Sequence, residues 1–428
     1  MLEDACTPSP SRRRVLKGLT AAAALVYPGA AIPALAEKTV AASAPAGEDY
    51  YEKLGVERII NAAGTYTYLT AACMPPSVIA AVERAAHHPV RLRELQEKAG
   101  AYIAQRLHCE AAMVTSGASG AISLATAACM QHANNIGPLD MPQNIAGARN
   151  QVVVQKAHRY GYDHAMYLSG ARVTEVVTME DYKRALGEGN AVMTNFFNAA
   201  EDGDADAQIG REEWLRVAHD HNVPCHMDAA ADMPPISNLW KYTGMGYDLV
   251  SFSGGKGMRG PQNAGLLLGK KEFLTLAQQS NNPDDGIGRG MKVAKEQIVG
   301  MVAAVDWVLS HSDDNMQEDY NERVARIVAQ VRDIPSVATS VKVPGISNHV
   351  PHLLIHFDPA RVGKSTQQIV DELRAGKPSI ELNPGSGHPE RKGIAPDVNT
   401  IVVGVWMMQP GEDEIVGRRL RAALTGKA

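Results

Sequence analysis

The sequence predicts an α/β protein: a large domain with a mainly parallel sheet sandwiched by helices, followed by a smaller C-terminal α/β domain. Three observations lead there. Short apolar runs alternate with amphipathic segments between residues 111 and 268, the order that right-handed strand–helix–strand crossovers require. A long helix expected over residues 291–310 carries Val293, Ile298, Val302, Val305 and Val308 as its buried stripe and leads out of that region. Beyond it, shorter strand runs at 353–357 and 400–406 mix with helices at 365–375 and 412–424.

The chain opens differently. Arg12, Arg13, Arg14 and Lys17 precede a small-residue apolar run from Gly18 to Val26, and Ala34-Leu-Ala36 follows. A basic head, a moderately apolar stretch and an A-x-A site define a twin-arginine export signal over residues 1–36. The run is shorter than the roughly 20 residues a spanning helix needs, and Pro28 and Pro33 break it. We therefore expect a periplasmic protein handled by the machinery that exports folded chains. Residues 37–49 read as an Ala, Ser and Pro linker.

Composition limits the function classes. With 428 residues, 45% of them hydrophobic, the chain can bury a large core. Its formal charge of -5 offers no basic excess for gripping phosphates, so nucleic acid is not an expected partner. Loss of the signal would make it more acidic. Cys73, Cys109, Cys129 and Cys225 stand apart with no C-x-x-C pair, so no zinc site is expected and spacing names no disulfide.

In order, residues 50–90 form an N-terminal arm with Ile59–Gly64 and a helix from Ser77. Residues 91–310 form the large domain and 311–428 the small one. Strands are expected at 111–115, 151–155, 191–195, 223–227, 248–252 and 263–268, the last two as an antiparallel addition. Trp214, Leu215 and Ala218 mark one face of a helix at 211–222. Residues 383–398 are rich in Gly and Pro and read as a loop.

The chemistry centres on Lys256, set in a glycine-rich turn between two apolar runs. Flanking glycines remove bulk, so a planar cofactor could approach the backbone, and Ser253 offers a hydroxyl; the alternative is a solvated lysine in a strand-to-strand turn. Thr115-Ser-Gly-Ala-Ser-Gly120 follows a strand and opens an apolar helix. Its backbone N–H groups, with Ser116, Gly117, Ala118 and Ser119, would cradle a phosphate; an ordinary helix start is the alternative. Asp228 ends a strand run, where ligands of open α/β sheets bind, and would hold a pyridinium N–H. Asp232 competes with it. His158 would lay its imidazole on a cofactor ring, the alternative being a structural hydrogen-bonder; His164 is a helper or a surface residue, and Asn195 would reach a ring hydroxyl.

The order of phosphate loop, stacking residue, strand-end acid and lysine is that of fold type I pyridoxal phosphate enzymes. Ile60-Asn-Ala-Ala-Gly64, Val114-Thr-Ser-Gly-Ala118, Met227-Asp-Ala-Ala230, Phe252-Ser-Gly-Gly-Lys256 and Gly260-Pro-Gln-Asn-Ala-Gly265 resemble the bacterial selenocysteine synthase (seryl-tRNA selenium transferase) superfamily. His158-Arg-Tyr-Gly-Tyr-Asp-His164 and Arg289-Gly-Met-Lys-Val293 resemble its D-glucosaminate-6-phosphate ammonia lyase branch. The resemblance runs from about Tyr50 to the C-terminus.

That resemblance implies the fold type I architecture and pyridoxal 5'-phosphate as cofactor. Lys256 would hold it as a Schiff base and Asp228 would face the pyridine nitrogen. Ser116, Gly117, Ser119 and Ser253 would lie near the phosphate. Gly260 to Gln262 would sit at the interface of a homodimer or higher homo-oligomer, and Gln262 is a further cofactor contact. Arg289 and Arg391 are candidates for a substrate carboxylate or phosphate.

The expected activity is that of an exported lyase, removing a β-substituent from an amino acid or amino sugar acid after Lys256 takes the α-proton. Racemisation, aldol cleavage and transamination start from the same point. Selenium transfer would use the same core, and so would a carrier that binds the cofactor without turnover. An export signal and the lack of a basic tRNA-binding domain set the chain apart from the selenium transferases.

Overall fold

The computed structural model describes residues 47–202, 209–391 and 394–426. The expected export signal and the linker as far as residue 46 lie outside the described residues. Residues up to Gly55 form one unit, in which Asp49 caps the helix Tyr50–Leu54 through the N–H groups of Tyr51 and Glu52. Val56–Ala428 is the other unit and carries everything that follows.

In chain order the strands are β1 (Ile59–Ala62), β2 (Ala111–Thr115), β3 (Gln151–Gln155), β4 (Arg172–Val176), β5 (Ala191–Phe197) and β6 (Cys225–Asp228). They continue with β7 (Leu249–Ser253), β8 (Gly265–Gly269), β9 (Val337–Lys342), β10 (His352–Phe357), β11 (Ser379–Leu382) and β12 (Thr400–Gly404). Seven of them make one sheet in the order β2-β8-β7-β6-β5-β3-β4, parallel except at β8. The α/β expectation holds, including the antiparallel β7–β8 pair. β8, however, is not an added edge: it lies inside the sheet between β2 and β7.

Strand alternation explains why both faces are covered. Met113, Val152, Val154, Leu249 and Leu267 pack with the helix Gly117–Ala133, while Val114, Val153, Val250, Phe252, Leu266 and Leu268 join Phe196, Trp214 and Leu215 on the other side. The helix Gly117–Ala133 is apolar on every side because it is buried almost throughout, from Gly120 to Gln131. Opposite it, the rings of Trp214 and Tyr182 stack at 3.7 Å.

Besides β9 and β11, which no expected strand covered, two elements differ from expectation. β4 is an edge strand whose residues are mostly half-exposed, so it lacks the continuous apolar run that marks its buried neighbours. The long helix starts at Lys295 rather than 291: residues 289–291 form a single 3-10 turn, and the Gln297 side chain accepts from the Ala294 N–H to set the new start.

Further along, β12, β10 and β9 form an antiparallel sheet. β1, from the arm, pairs in parallel with β11 far along the chain. Leu353, Ile355, Ile401, Val403 and Leu420 belong to the same buried cluster as Val250 and Phe252. The chain leaves the long helix at Leu309 and enters another, Asp313–Val331.

Two fully buried histidines give the fold an acid limit. Burial pushes His226 down to about 3 and His352 down to about 4, below the ordinary value of 6.5. Between those values the unfolded chain binds protons that the folded chain does not, so stability is lost as pH falls below the unfolded value. Thermal unfolding at stepped pH should show the midpoint falling between neutral pH and about pH 4, at up to roughly 1.4 kcal/mol per pH unit for each histidine. His352→Leu should flatten that slope.

Candidate active site

Strand register brings the expected residues to one end of the sheet. Thr115 at the end of β2 pairs with Gly265, which pairs with Ser253 at the end of β7. Asp228, ending β6, stands between Phe197 of β5 and Ser251 of β7. The turn after β2, the Lys256 turn and Asp228 therefore meet where the parallel strands end, as open α/β sheets dictate for ligand sites.

At the first of these, the helix Gly117–Ala133 starts without a side-chain cap: Ser116 is the N-cap and its hydroxyl makes no capping bond. The first N–H groups of any helix lack intrahelical partners, so this end offers donors and the positive end of the helix dipole to an anion. Gly117 has φ +67° and open space where a Cβ would stand. Ser119 is exposed, and Ala118 half-buried, in the same turn. The donor set and the room fit a phosphate.

The Lys256 turn departs from its expected rationale. A Cβ on Gly254 would meet Met301 Sδ at 2.4 Å, one on Gly255 the Gln262 backbone at 2.6 Å, and one on Gly257 the Met233 carbonyl at 2.2 Å. These glycines are thus demanded by the protein's own packing rather than by room for a planar cofactor. Gly254 N–H to Ala264 O at 2.9 Å and Gly260 N–H to Gly254 O at 2.8 Å close the loop. Lys256 itself is half-buried. Burial lowers its amine from the ordinary lysine value, while the charges of Asp228 and Asp232 pull it back up.

Asp228 is buried, accepting from the Ala230 N–H at 3.0 Å and from the Tyr160 hydroxyl. Burial raises its carboxyl; the Tyr160 and Ala230 hydrogen bonds and the charge of Lys256 oppose the rise. Each carboxylate oxygen has a second lone pair, which leaves capacity for a pyridinium N–H. Asp232, the competing acid, is buried as well and pushed up to about 7 by that burial, with Asn198 and Tyr242 bonded to one oxygen.

His158 is fully buried, edge-on to Phe196 at 4.4 Å, with Nδ1 accepting from the Phe197 N–H at 3.3 Å. The ring beside Asp228 is instead that of Tyr160, stacked on Phe197 at 4.1 Å. Tyr160 lies in the motif after β3, yet nothing in the spacing singles it out from Tyr162. Asn195 is buried with Oδ1 on His226 Nδ1 at 2.7 Å, and its Nδ2 has no partner among the described residues. Ser253, half-buried, ends β7 just before the turn.

The outer candidates are exposed. Gln262 donates to the Thr67 carbonyl at 3.0 Å, Arg289 lies in the 3-10 turn, and Arg391 donates to Pro384 O at 3.1 Å. The charge of Arg391 reaches the phenols of Tyr66 and Tyr68. His164 holds the Gly161 carbonyl at 2.9 Å.

The architecture is that of fold type I pyridoxal phosphate enzymes. A solved D-glucosaminate-6-phosphate ammonia lyase superposes with a TM-score of 0.72 at 22% identity, covering 88% of this chain and 98% of that one. In sequence, the chain is 25% identical over 341 residues to D-glucosaminate-6-phosphate ammonia lyase of Salmonella typhimurium, 77% of this chain and 88% of that protein. It is 26% identical over 384 residues to a 5'-C-glycyluridine monooxygenase-decarboxylase of a Streptomyces species, 87% and 92% of the two. An L-seryl-tRNA(Sec) selenium transferase of Edwardsiella ictaluri matches about half of each chain at 29% identity. No protein-family model matches. These relatives bear out the resemblance drawn from the motifs, and the expected cofactor, pyridoxal 5'-phosphate, agrees with them.

Gly265 tests the anion site directly, because a Cβ there would meet Gly117 C at 2.5 Å and Ala118 N at 2.8 Å. Gly265→Ala should push the cradle out of place and weaken pyridoxal phosphate binding by about tenfold or more, measured by spectroscopic titration, while circular dichroism stays close to wild type.

Proposed function

We propose that the protein is an exported pyridoxal phosphate-dependent enzyme that eliminates a β-substituent from an amino acid or amino sugar acid. The observation that carries the reading is the meeting of Lys256, Asp228 and an uncapped helix start at one sheet end. When bound there, pyridoxal phosphate supplies an electron sink for a substrate carbanion.

The chain's own groups supply the rest. N–H groups at the start of the helix Gly117–Ala133, with Ser116 and Ser253, bind the phosphate. Asp228, buried and oriented by Tyr160 and the Ala230 N–H, keeps the pyridine nitrogen protonated. Lys256, with its amine lowered by burial, becomes neutral more readily than a surface lysine and can take the substrate α-proton. Arg391, near Tyr66 and Tyr68, is the candidate to orient a substrate carboxylate, and Arg289 a second. A homo-oligomer would place Gly260 to Gln262 at the subunit interface.

The Streptomyces relative favours a second reading, oxidative decarboxylation, since its match spans most of both chains. A panel of D- and L-amino acids and amino sugar acids separates the two. Ammonia and keto acid released without oxygen uptake support elimination; oxygen consumed with carbon dioxide released supports the second. Neither product from any substrate would leave a carrier without turnover.

Lys256→Ala should abolish the visible absorbance band that pyridoxal phosphate gives with a protein lysine and cut turnover by roughly 10²–10⁴-fold. A wild-type protein with no such band after cofactor is supplied would sink the reading. For export, a periplasmic fraction should contain protein cut near Ala36, and replacing Arg12 and Arg13 by Lys should leave the uncut form in the cytoplasm.

A further inference from the structure

Asp228 is held on both carboxyl oxygens. Oδ1 accepts from the Ala230 N–H at 3.0 Å and Oδ2 from the Tyr160 hydroxyl. The first donor is local, two residues along. The second reaches the end of β6 from the loop after β3, 68 residues away in sequence. Its ring lies on that of Phe197, with centroids 4.1 Å apart and planes 13° from parallel. Phe197 is the residue level with Asp228 in the β5–β6 register, so the shelf that carries the phenol is the strand neighbour of the acid it bonds.

The loop that delivers Tyr160 is itself fastened. Arg159 bonds Asp163 and Glu175 of β4, and donates to the Tyr167 hydroxyl at 3.2 Å. The Asp163 N–H bonds the Tyr160 carbonyl at 3.2 Å. Burial favours the neutral form of the Asp228 carboxyl, and the Tyr160 hydrogen bond is the largest influence against it. Burial and the negative charge of Asp228 hold the phenol well above its ordinary value, so it stays protonated and donates. The other titratable groups that act on the pair are Lys256 from the turn after β7, Asp232 from the segment after β6, and Asp163 and Tyr162 beside Tyr160.

We propose that Tyr160 is a positioning residue that acts through Asp228: by donating to Oδ2 it makes the carboxylate a poorer base, so that the proton shared with a pyridine nitrogen stays on the ring. This deepens, and rests on, the reading of Asp228 as the partner of that nitrogen. One proton lies between two acceptors, a carboxylate oxygen and the ring nitrogen. A donor already on the carboxylate lowers its hold on that proton, and the protonated ring is the better electron sink. Without the phenol, the proton moves to Asp228, and a neutral acid faces an uncharged nitrogen.

Tyr160→Phe keeps the ring and its stack and removes one oxygen. In the purified full chain without cofactor, the infrared carboxyl band that disappears in Asp228→Asn reports the protonation of Asp228 across a pH series. In Tyr160→Phe that carboxyl should take its proton about one pH unit higher, a tenfold gain in proton affinity. With pyridoxal phosphate isotope-labelled at its ring nitrogen, the nitrogen resonance of the bound cofactor should move from the protonated towards the unprotonated position. Tyr162→Phe, on the neighbouring ring 5.6 Å away, should leave both readings where they are in wild type.

An Asp228 carboxyl that titrates alike in wild type and folded Tyr160→Phe overturns the proposal, and so does an unmoved ring resonance. If Tyr160→Phe does not fold, Phe197→Leu, which takes away the ring beneath the phenol, should shift the carboxyl the same way by less, and no shift there overturns it. A wild-type chain that takes up no pyridoxal phosphate would sink the enzyme reading together with this one. Normal uptake with unmoved readings sinks the role of Tyr160 alone.

Discussion

The pairing of β8 between β2 and β7 is the constraint on which the site depends. β8 runs against both neighbours, so its first residue, Gly265, sits level with the last residues of the other two, Thr115 and Ser253. That single register puts the helix start after β2 and the Lys256 turn after β7 at the same end of the sheet. A slip of one residue would turn Leu267 from the helix-covered face to the other, so the hydrophobic pattern that holds the core also holds the site.

Much of this was legible in the sequence because buried strands announce themselves. β2 and β3 are continuous apolar runs and begin and end where expected, whereas β4, half-exposed at the edge, leaves too faint a pattern. The position of β8 within the sheet was not legible: a short loop signals antiparallel pairing but not which other strand will claim the free edge. Among site residues, Lys256 and Asp228 could be found from their place at strand ends. Tyr160 could not, since its role arises only when the loop after β3 folds back to β6.

The glycines around Lys256 have a different cause from the one their sequence suggests. They mark the turn because Met301, Gln262 and Met233 press against their backbones, a requirement set by long-range packing. Gly117, at the helix start after β2, has open space beside it instead. A sequence shows both kinds alike; only the neighbours distinguish a glycine that makes room for the chain from one that leaves room for a ligand.

The C-terminal third also holds the site in place. The Asn348 N–H bonds Ala231 O at 2.8 Å, between the two acids, and Arg259, three residues after Lys256, donates to the Trp406 carbonyl. The arm contributes through Thr67, whose carbonyl takes Gln262. Loops left to themselves are the mobile parts of a fold, and a lysine proposed to react needs its neighbours held within a fraction of an ångström. Here the two loops are fastened by residues distant in sequence from them. The geometry around Lys256 is accordingly a property of the complete Val56–Ala428 unit, and a fragment ending after β8 would keep the helix start after β2, Asp228 and the Lys256 turn while losing what sets their spacing.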